Sequence, residues 1–197
     1  MTTTKLSITI FTIVIGLTTL SLLATFLWFA LKPRFPTFHI DAVTVTSLST
    51  TASAELNALF NVVITIRNPN RKVTLSYENL DAAIWFERRN LALAFFQPFS
   101  QGTKSKTELR TWFQVFHKQF KNNMVRRIGM QLAHGSVDFG LTLNARVRFR
   151  SNHKHSAIHS LNIECYPIHI VFPLNDSNNH TGTLAVPSDC DTVDVVL

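Results

Sequence analysis

The 197-residue chain carries a formal net charge of +7, with 46% hydrophobic and 16% charged side chains. Its 16 phenylalanines and only 6 glycines exclude a disordered hydrophilic chain. The basic balance suits a negatively charged partner, but the first element argues against nucleic acid.

That element is uncharged from Leu6 to Leu31. As a helix it would reach about 39 Å at 1.5 Å per residue, and about 20 apolar residues span a bilayer core. A cleaved signal peptide has an apolar core of only about 7–15 residues ending in small side chains. This stretch instead ends Ala24-Thr25-Phe26-Leu27-Trp28-Phe29-Ala30-Leu31. The expectation is a retained single-pass anchor over residues 6–31, after a cytosolic tail of residues 1–5. Residues 32–37 form a neck stiffened by Pro33 and Pro36, and residues 38–197 form one domain. A domain of that size builds a core without metal or many disulfides.

Flanking charge leaves the orientation open, with the α-amino group and Lys5 on one side and Lys32 and Arg34 on the other. Two features favour a domain outside the cytosol. Asn175-Asp176-Ser177 and Asn179-His180-Thr181 are N-glycosylation patterns in a polar stretch. The only two cysteines, Cys165 and Cys190, lie in the same C-terminal region. A bridge between them would close a loop of about 26 residues, worth roughly 3–3.5 kcal/mol; the alternative is two unrelated buried thiols.

The remaining elements read mainly as strands. Thr37 to Ser47 is strand-like, with an apolar phase that slips between Ile40 and Val43, the mark of a bulge. Phe60, Val62, Ile64 and Ile66 alternate with their neighbours as far as Arg67. Asn68-Pro69-Asn70 then turns the chain, because Pro69 cannot donate to a ladder and Asn70 tolerates the left-handed region. Short strands follow at Val73 to Tyr77, Asp81 to Glu87, Leu91 to Phe95 and Leu109 to Phe116. Gln119 to Ala133 is the one helical candidate, with Phe120, Met124, Ile128 and Leu132 at four-residue spacing. Val137 to Arg150 is the clearest strand, alternating apolar and polar throughout, with a bend expected at Gly140. Ser151 to Ser160 reads as a polar loop, and Leu161 to Phe172 and Thr192 to Leu197 as the last strands. Many short alternating strands without βαβ units predict a mainly-β fold, an antiparallel sandwich with one short helix.

Charge is unevenly spread. Lys104 to Lys154 holds eleven Lys and Arg against Glu108 and Asp138, so the segment carries 11 − 2 = +9, while five acids and no Lys or Arg follow from Glu164 onward. Arg146, Arg148 and Arg150 share one strand face and are the candidate contact for anionic lipid or an acidic wall polysaccharide. Their plainer role is to guard an edge against aggregation. His153, His155 and His159 fall in the polar loop without an evident fourth ligand, so no metal and no cofactor is expected. The chain has no Gly-x-Ser-x-Gly elbow and no clustered glycine loop, and Cys165 stands just before Pro167 in a strand pattern. No catalytic residue is assigned, and a non-enzymatic role is expected.

An anchor and short neck precede Arg67-Asn68-Pro69-Asn70-Arg71-Lys72 with Tyr77 just beyond it, then Gln97-Pro98-Phe99-Ser100-Gln101-Gly102, and finally Cys165 and Cys190 flanking the last strands. In this combination the chain resembles the plant harpin-induced-like proteins, the NHL family of the late embryogenesis abundant group 2 superfamily, over nearly its whole length. The resemblance implies a fibronectin- or immunoglobulin-like β-sandwich on a single-pass anchor, with the domain outside the plasma membrane; endomembranes and plasmodesmata are the other locations it allows. It also implies a part in plant defence against pathogens or in abiotic stress, through a protein partner it does not identify. It brings no catalytic residue. Asn68, Pro69, Asn70 and Tyr77 match the family's turn motif, whose expected job is structural. Two departures matter. Many relatives have a longer cytosolic tail, which weakens docking of a cytosolic partner here. The ending Asp194-Val195-Val196-Leu197 lacks the roughly 10–20 apolar residues of a GPI signal. A second reading, from a different class, is a lipid-binding or lipid-transfer domain at the membrane.

Overall fold

The computed structural model describes residues 2–50, 55–151, 154–173 and 181–195. It divides into two compact units, residues 1–34 and residues 35–197.

The first unit is helix α1, Thr2–Leu31. Within it Phe11–Trp28 is long and apolar enough to cross a membrane, by length and composition. Its threonines do not interrupt the apolar surface. The hydroxyls of Thr18, Thr19 and Thr25 donate to the carbonyls of Ile15, Gly16 and Leu22 at 2.9, 2.9 and 2.8 Å, so these three donors are satisfied within the helix.

The second unit is built on strands: β1 Thr37–Thr50, β2 Glu55–Arg67, β3 Val73–Phe86, β4 Arg89–Phe96, β5 Phe99–Gln101 and β6 Lys106–Gln119. Helix α2, Asn122–Ala133, follows. Then come β7 Ser136–Ser151, β8 Lys154–Val171, β9 Gly182–Leu184, β10 Ser188–Asp189 and β11 Asp191–Val195. Every pairing among these strands is antiparallel. In place of two separate sheets, one hydrogen-bonded path runs β4-β3-β7-β8-β9-β1-β2-β6. The short β9 makes this continuity, pairing Thr183 with Val171 on one side and with Thr44 on the other. The path bends round until its ends, β4 and β6, face each other across an open groove lined by Leu91, Leu93, Val115 and Phe116.

One core fills the inside. Period-two alternation turns Ile40, Phe60, Ile64, Leu143 and Ile163 inward. Phe60 of β2 meets Phe139 of β7 edge-on at 5.0 Å, and Phe86 of β3 meets the same ring at 6.0 Å. Opposite halves of the sheet therefore touch through filled space.

Three sequence expectations change. The expected strands Val73–Tyr77 and Asp81–Glu87 are one strand, β3, carried past Glu78 by a register shift between Tyr77 and Asn79. The polar stretch expected as a loop, Ser151 to Ser160, belongs largely to β8, which pairs from Lys154 onward with β7. Its polar residues belong to a ladder because β7 supplies a long edge to pair with. Helix α2 starts at Asn122 rather than Gln119, because β6 runs on through Gln119. It ends at Ala133 with His134 as cap, and the chain turns away at Gly135, whose φ of 83° suits glycine and whose N–H donates to the Leu132 carbonyl at 2.9 Å. The bulge in β1 falls between Ile40 and Ala42, and β7 shifts register between Phe139 and Leu141, at Gly140.

Candidate functional site

The family-like turn is the most elaborate polar structure in the β-unit. β2 ends at Arg67, and the next residue, Asn68, is 0% exposed. A buried amide must satisfy both its donors and its acceptor. Asn68 Nδ2 donates to the carbonyls of Val73 at 2.9 Å and Gly102 at 2.8 Å. Its Oδ1 accepts the backbone N–H of Asn70 at 3.0 Å and Asn70 Nδ2 at 2.9 Å. The backbone adds two more ties: Asn68 N–H donates to the Ser105 carbonyl, and Lys104 N–H to the Asn70 carbonyl, both at 2.9 Å. A single side chain thus fastens the β2–β3 turn to the β5–β6 turn.

Gln101, the last residue of β5, continues the network from the other side. Its Nε2 donates to the Ile66 carbonyl at 2.8 Å, and its Oε1 accepts the Tyr77 hydroxyl at 3.3 Å. Tyr77 stacks on Phe99 with ring centroids 4.4 Å apart. Burial of Tyr77 raises its phenol well above the ordinary value of 10.0, because the phenolate would lose its hydration. A raised folded-state value means that stability is intact below pH 10 and falls as pH climbs further. One proton is at stake, so the slope above pH 10 is about 1.4 kcal/mol per pH unit. Melting curves from pH 9 to 11 test this: Tyr77→Phe should abolish that part of the alkaline loss.

The network holds a cationic rim. Arg67, Arg71, Lys72, Lys104, Lys106 and Arg150 are all exposed on or beside these turns. Thr37 pairs with Arg67, Arg67 with Lys106, and Val73 with Ser151, so the six lie at one end of the β-unit. None of them is in an ion pair among the described residues.

The residues singled out in the sequence are distributed as follows. Arg146, Arg148 and Arg150 do share the outer face of β7, but Arg148 Nε bonds Glu78 Oε1 at 2.6 Å, which takes its charge out of the patch. Cys165 in β8 and Cys190 are joined as a disulfide. Asn175, Asn179 and His153 lie outside the described residues, as does the side chain of His155. His159 pairs with Asp194 at 3.0 Å and touches the rings of Phe35 and Phe149. Among the described residues, no group of three or more His, Cys, Asp or Glu is arranged to hold a metal ion. Gln101 was not legible as a site residue: an isolated glutamine beside Ser100 and Gly102 gives no sign of burial.

Comparison with known proteins agrees with the family resemblance. The family model for late embryogenesis abundant protein, LEA_2, matches residues 63–165, from β2 to the first cysteine. The chain belongs to the LEA_2 family. NDR1/HIN1-like protein 10 of Arabidopsis thaliana is 26% identical over 176 residues, covering 87% of this chain and 76% of that protein. NDR1/HIN1-like protein 26 of the same plant is 25% identical over 151 residues, covering 75% of this chain and 70% of that protein. NDR1/HIN1-like protein 6 is 30% identical over 82 residues, 41% of this chain and 32% of that protein. The LEA_2 match contains the whole Asn68–Asn70–Gln101–Tyr77 network, so the chain's most constrained polar cluster lies inside the family's own segment. A solved protein from Archaeoglobus fulgidus aligns over 73% of this chain and 99% of its own at 11% identity and a TM-score of 0.34, too low to bear on the fold.

Proposed function

We propose that this LEA_2 protein is a single-pass, membrane-anchored and non-enzymatic component of plant defence or stress response, acting through a β-domain outside the cytosol at the plasma membrane. The observation that carries the reading is the union of two parts in one chain: an apolar helix of membrane-spanning length, and a LEA_2 segment whose curated relatives are NDR1/HIN1-like proteins. A Cys165–Cys190 bridge suits an oxidising compartment. Sandwich-like packing of a rolled sheet supplies a rigid scaffold, and loops and charged faces make the contacts. The alternative, lipid carried inside the domain, needs a continuous apolar tunnel. Filling of the interior by Phe60, Phe86 and Phe139 favours the scaffold reading.

Endoglycosidase digestion tests compartment and topology together. The expressed full chain should shift in mobility on digestion, and Asn175→Gln with Asn179→Gln should remove the shift. An undigested chain of unmodified mass, with Cys165 and Cys190 reduced in the cell, would overturn the extracytosolic reading.

A further inference from the structure

The cationic rim lies where the β-unit begins. Phe35, the first residue of that unit, has its ring 6.0 Å from Phe149 and 5.4 Å from His159. Two residues later Thr37 pairs with Arg67. The chain therefore enters the β-unit beside Arg67 and Arg150, at the end that also carries Arg71, Lys72, Lys104 and Lys106. We propose that this rim is a contact surface for the anionic lipid headgroups of the same bilayer in which α1 is seated.

Three observations support it. First, the rim has uncompensated charge: the nearby acids are already engaged, Glu78 with Arg148, Glu108 with Arg110 and Asp194 with His159. Second, the backbone that carries the rim is held in place. The buried amides of Asn68 and Gln101 bind its turns to one another, so contact has to order the cationic side chains and not the turns that carry them. Third, the tether is short. Helix α1 ends at Leu31 and β1 starts at Thr37. The six steps from Leu31 to Thr37 span at most about 22 Å, about two screening lengths at 0.1 M salt. Each Lys or Arg held near an anionic surface strengthens contact about five-fold. A soluble polyanion such as an acidic polysaccharide would gain nothing from the tether, which is why the lipid surface is favoured. The inference rests on α1 being seated in a bilayer, as proposed above, and requires anionic lipid in the leaflet that the β-domain faces.

The test uses the full chain reconstituted in vesicles. Thr103 is exposed in the β5–β6 turn beside Lys104, and the native cysteines are bridged, so Thr103→Cys takes a single fluorophore. Quenching by headgroup-labelled lipid should rise at least about two-fold when phosphatidylserine is added to phosphatidylcholine. It should return to the neutral-lipid level in about 1 M salt, where screening is about 3 Å, and in Arg71→Glu with Lys72→Glu at unchanged melting temperature. Equal quenching in both lipids overturns the proposal. So does a label that responds to dissolved polygalacturonate and not to phosphatidylserine. Loss of the chain from vesicles on an alkaline carbonate wash defeats the anchored reading and this proposal with it; retention without lipid-dependent quenching defeats this proposal alone.

Discussion

Replacing Asn68 by alanine is expected to cost the β-unit about 3–5 kcal/mol of unfolding free energy, a large share of a typical domain's total. The effect comes from what stays behind rather than from what is removed. Truncation leaves the Val73 carbonyl without this side-chain donor, and the backbone N–H and side-chain amide of Asn70 without this acceptor; the Gly102 carbonyl loses one of two donors and keeps the Ser105 hydroxyl at 2.7 Å. Each buried polar group left unsatisfied costs about 1–3 kcal/mol, and neighbours in one network do not add in full. Asn68→Asp should be as harmful. It keeps the acceptor but presents oxygen to two carbonyls and buries a charge. Pro69→Ala, at a half-exposed position, should cost less than about 1 kcal/mol. Urea denaturation followed by near-ultraviolet circular dichroism would rank the three. An Asn68→Ala loss no larger than that of Pro69→Ala would show that the turn is held by its backbone alone.

That contrast also marks what a single sequence discloses about this protein. The Asn-Pro-Asn turn is visible because proline and asparagine restrict the backbone locally. Asn68's burial is not, since it depends on the β5–β6 turn, which approaches from more than thirty residues away. Strand β7 is legible for the opposite reason: its alternation is uninterrupted because one face is packed along its whole length. In β3 the polar pair Glu78-Asn79 looks like a break, yet a bulge absorbs it and Leu80 resumes the inward phase. The start of β8 fails on the same point, as strand residues there are specified by the long partner β7 and not by their own hydrophobicity. The bridging by β9, and with it the near-closure of the sheet, rests on a three-residue strand whose sequence, Gly182-Thr183-Leu184, carries no strand pattern. The cationic rim was half legible. Lys104, Lys106 and Arg150 fall inside the basic segment, but Arg67, Arg71 and Lys72 join them only through strand pairing.

Gly140→Ala is the second substitution with a large expected effect, about 2–3 kcal/mol. Gly140 stands where β7 shifts register against β8, with Phe139 opposite Ile168 and Leu141 opposite Cys165. The missing side chain leaves room for the indole of Trp85. A Cβ at Gly140 would stand 2.1 Å from Trp85 Cζ2 and 2.2 Å from Cε2, well inside contact distance. The ring cannot simply slide away. Its Nε1 donates to Thr142 Oγ1 at 2.9 Å, and its other face stacks on Tyr166 at 5.1 Å. Trp85 is only 7% exposed in this slot, so expelling it returns a large apolar surface to water and breaks the hydrogen bond. Trp85→Ala empties the slot and is itself costly, by about 3 kcal/mol. In that background the methyl group of alanine meets no ring, and Gly140→Ala should become nearly neutral. The two substitutions should thus couple by about 2 kcal/mol in a double-mutant cycle measured by urea denaturation. Additive losses would mean that Gly140 is required for its backbone conformation at the bulge, and not for the space it leaves to Trp85.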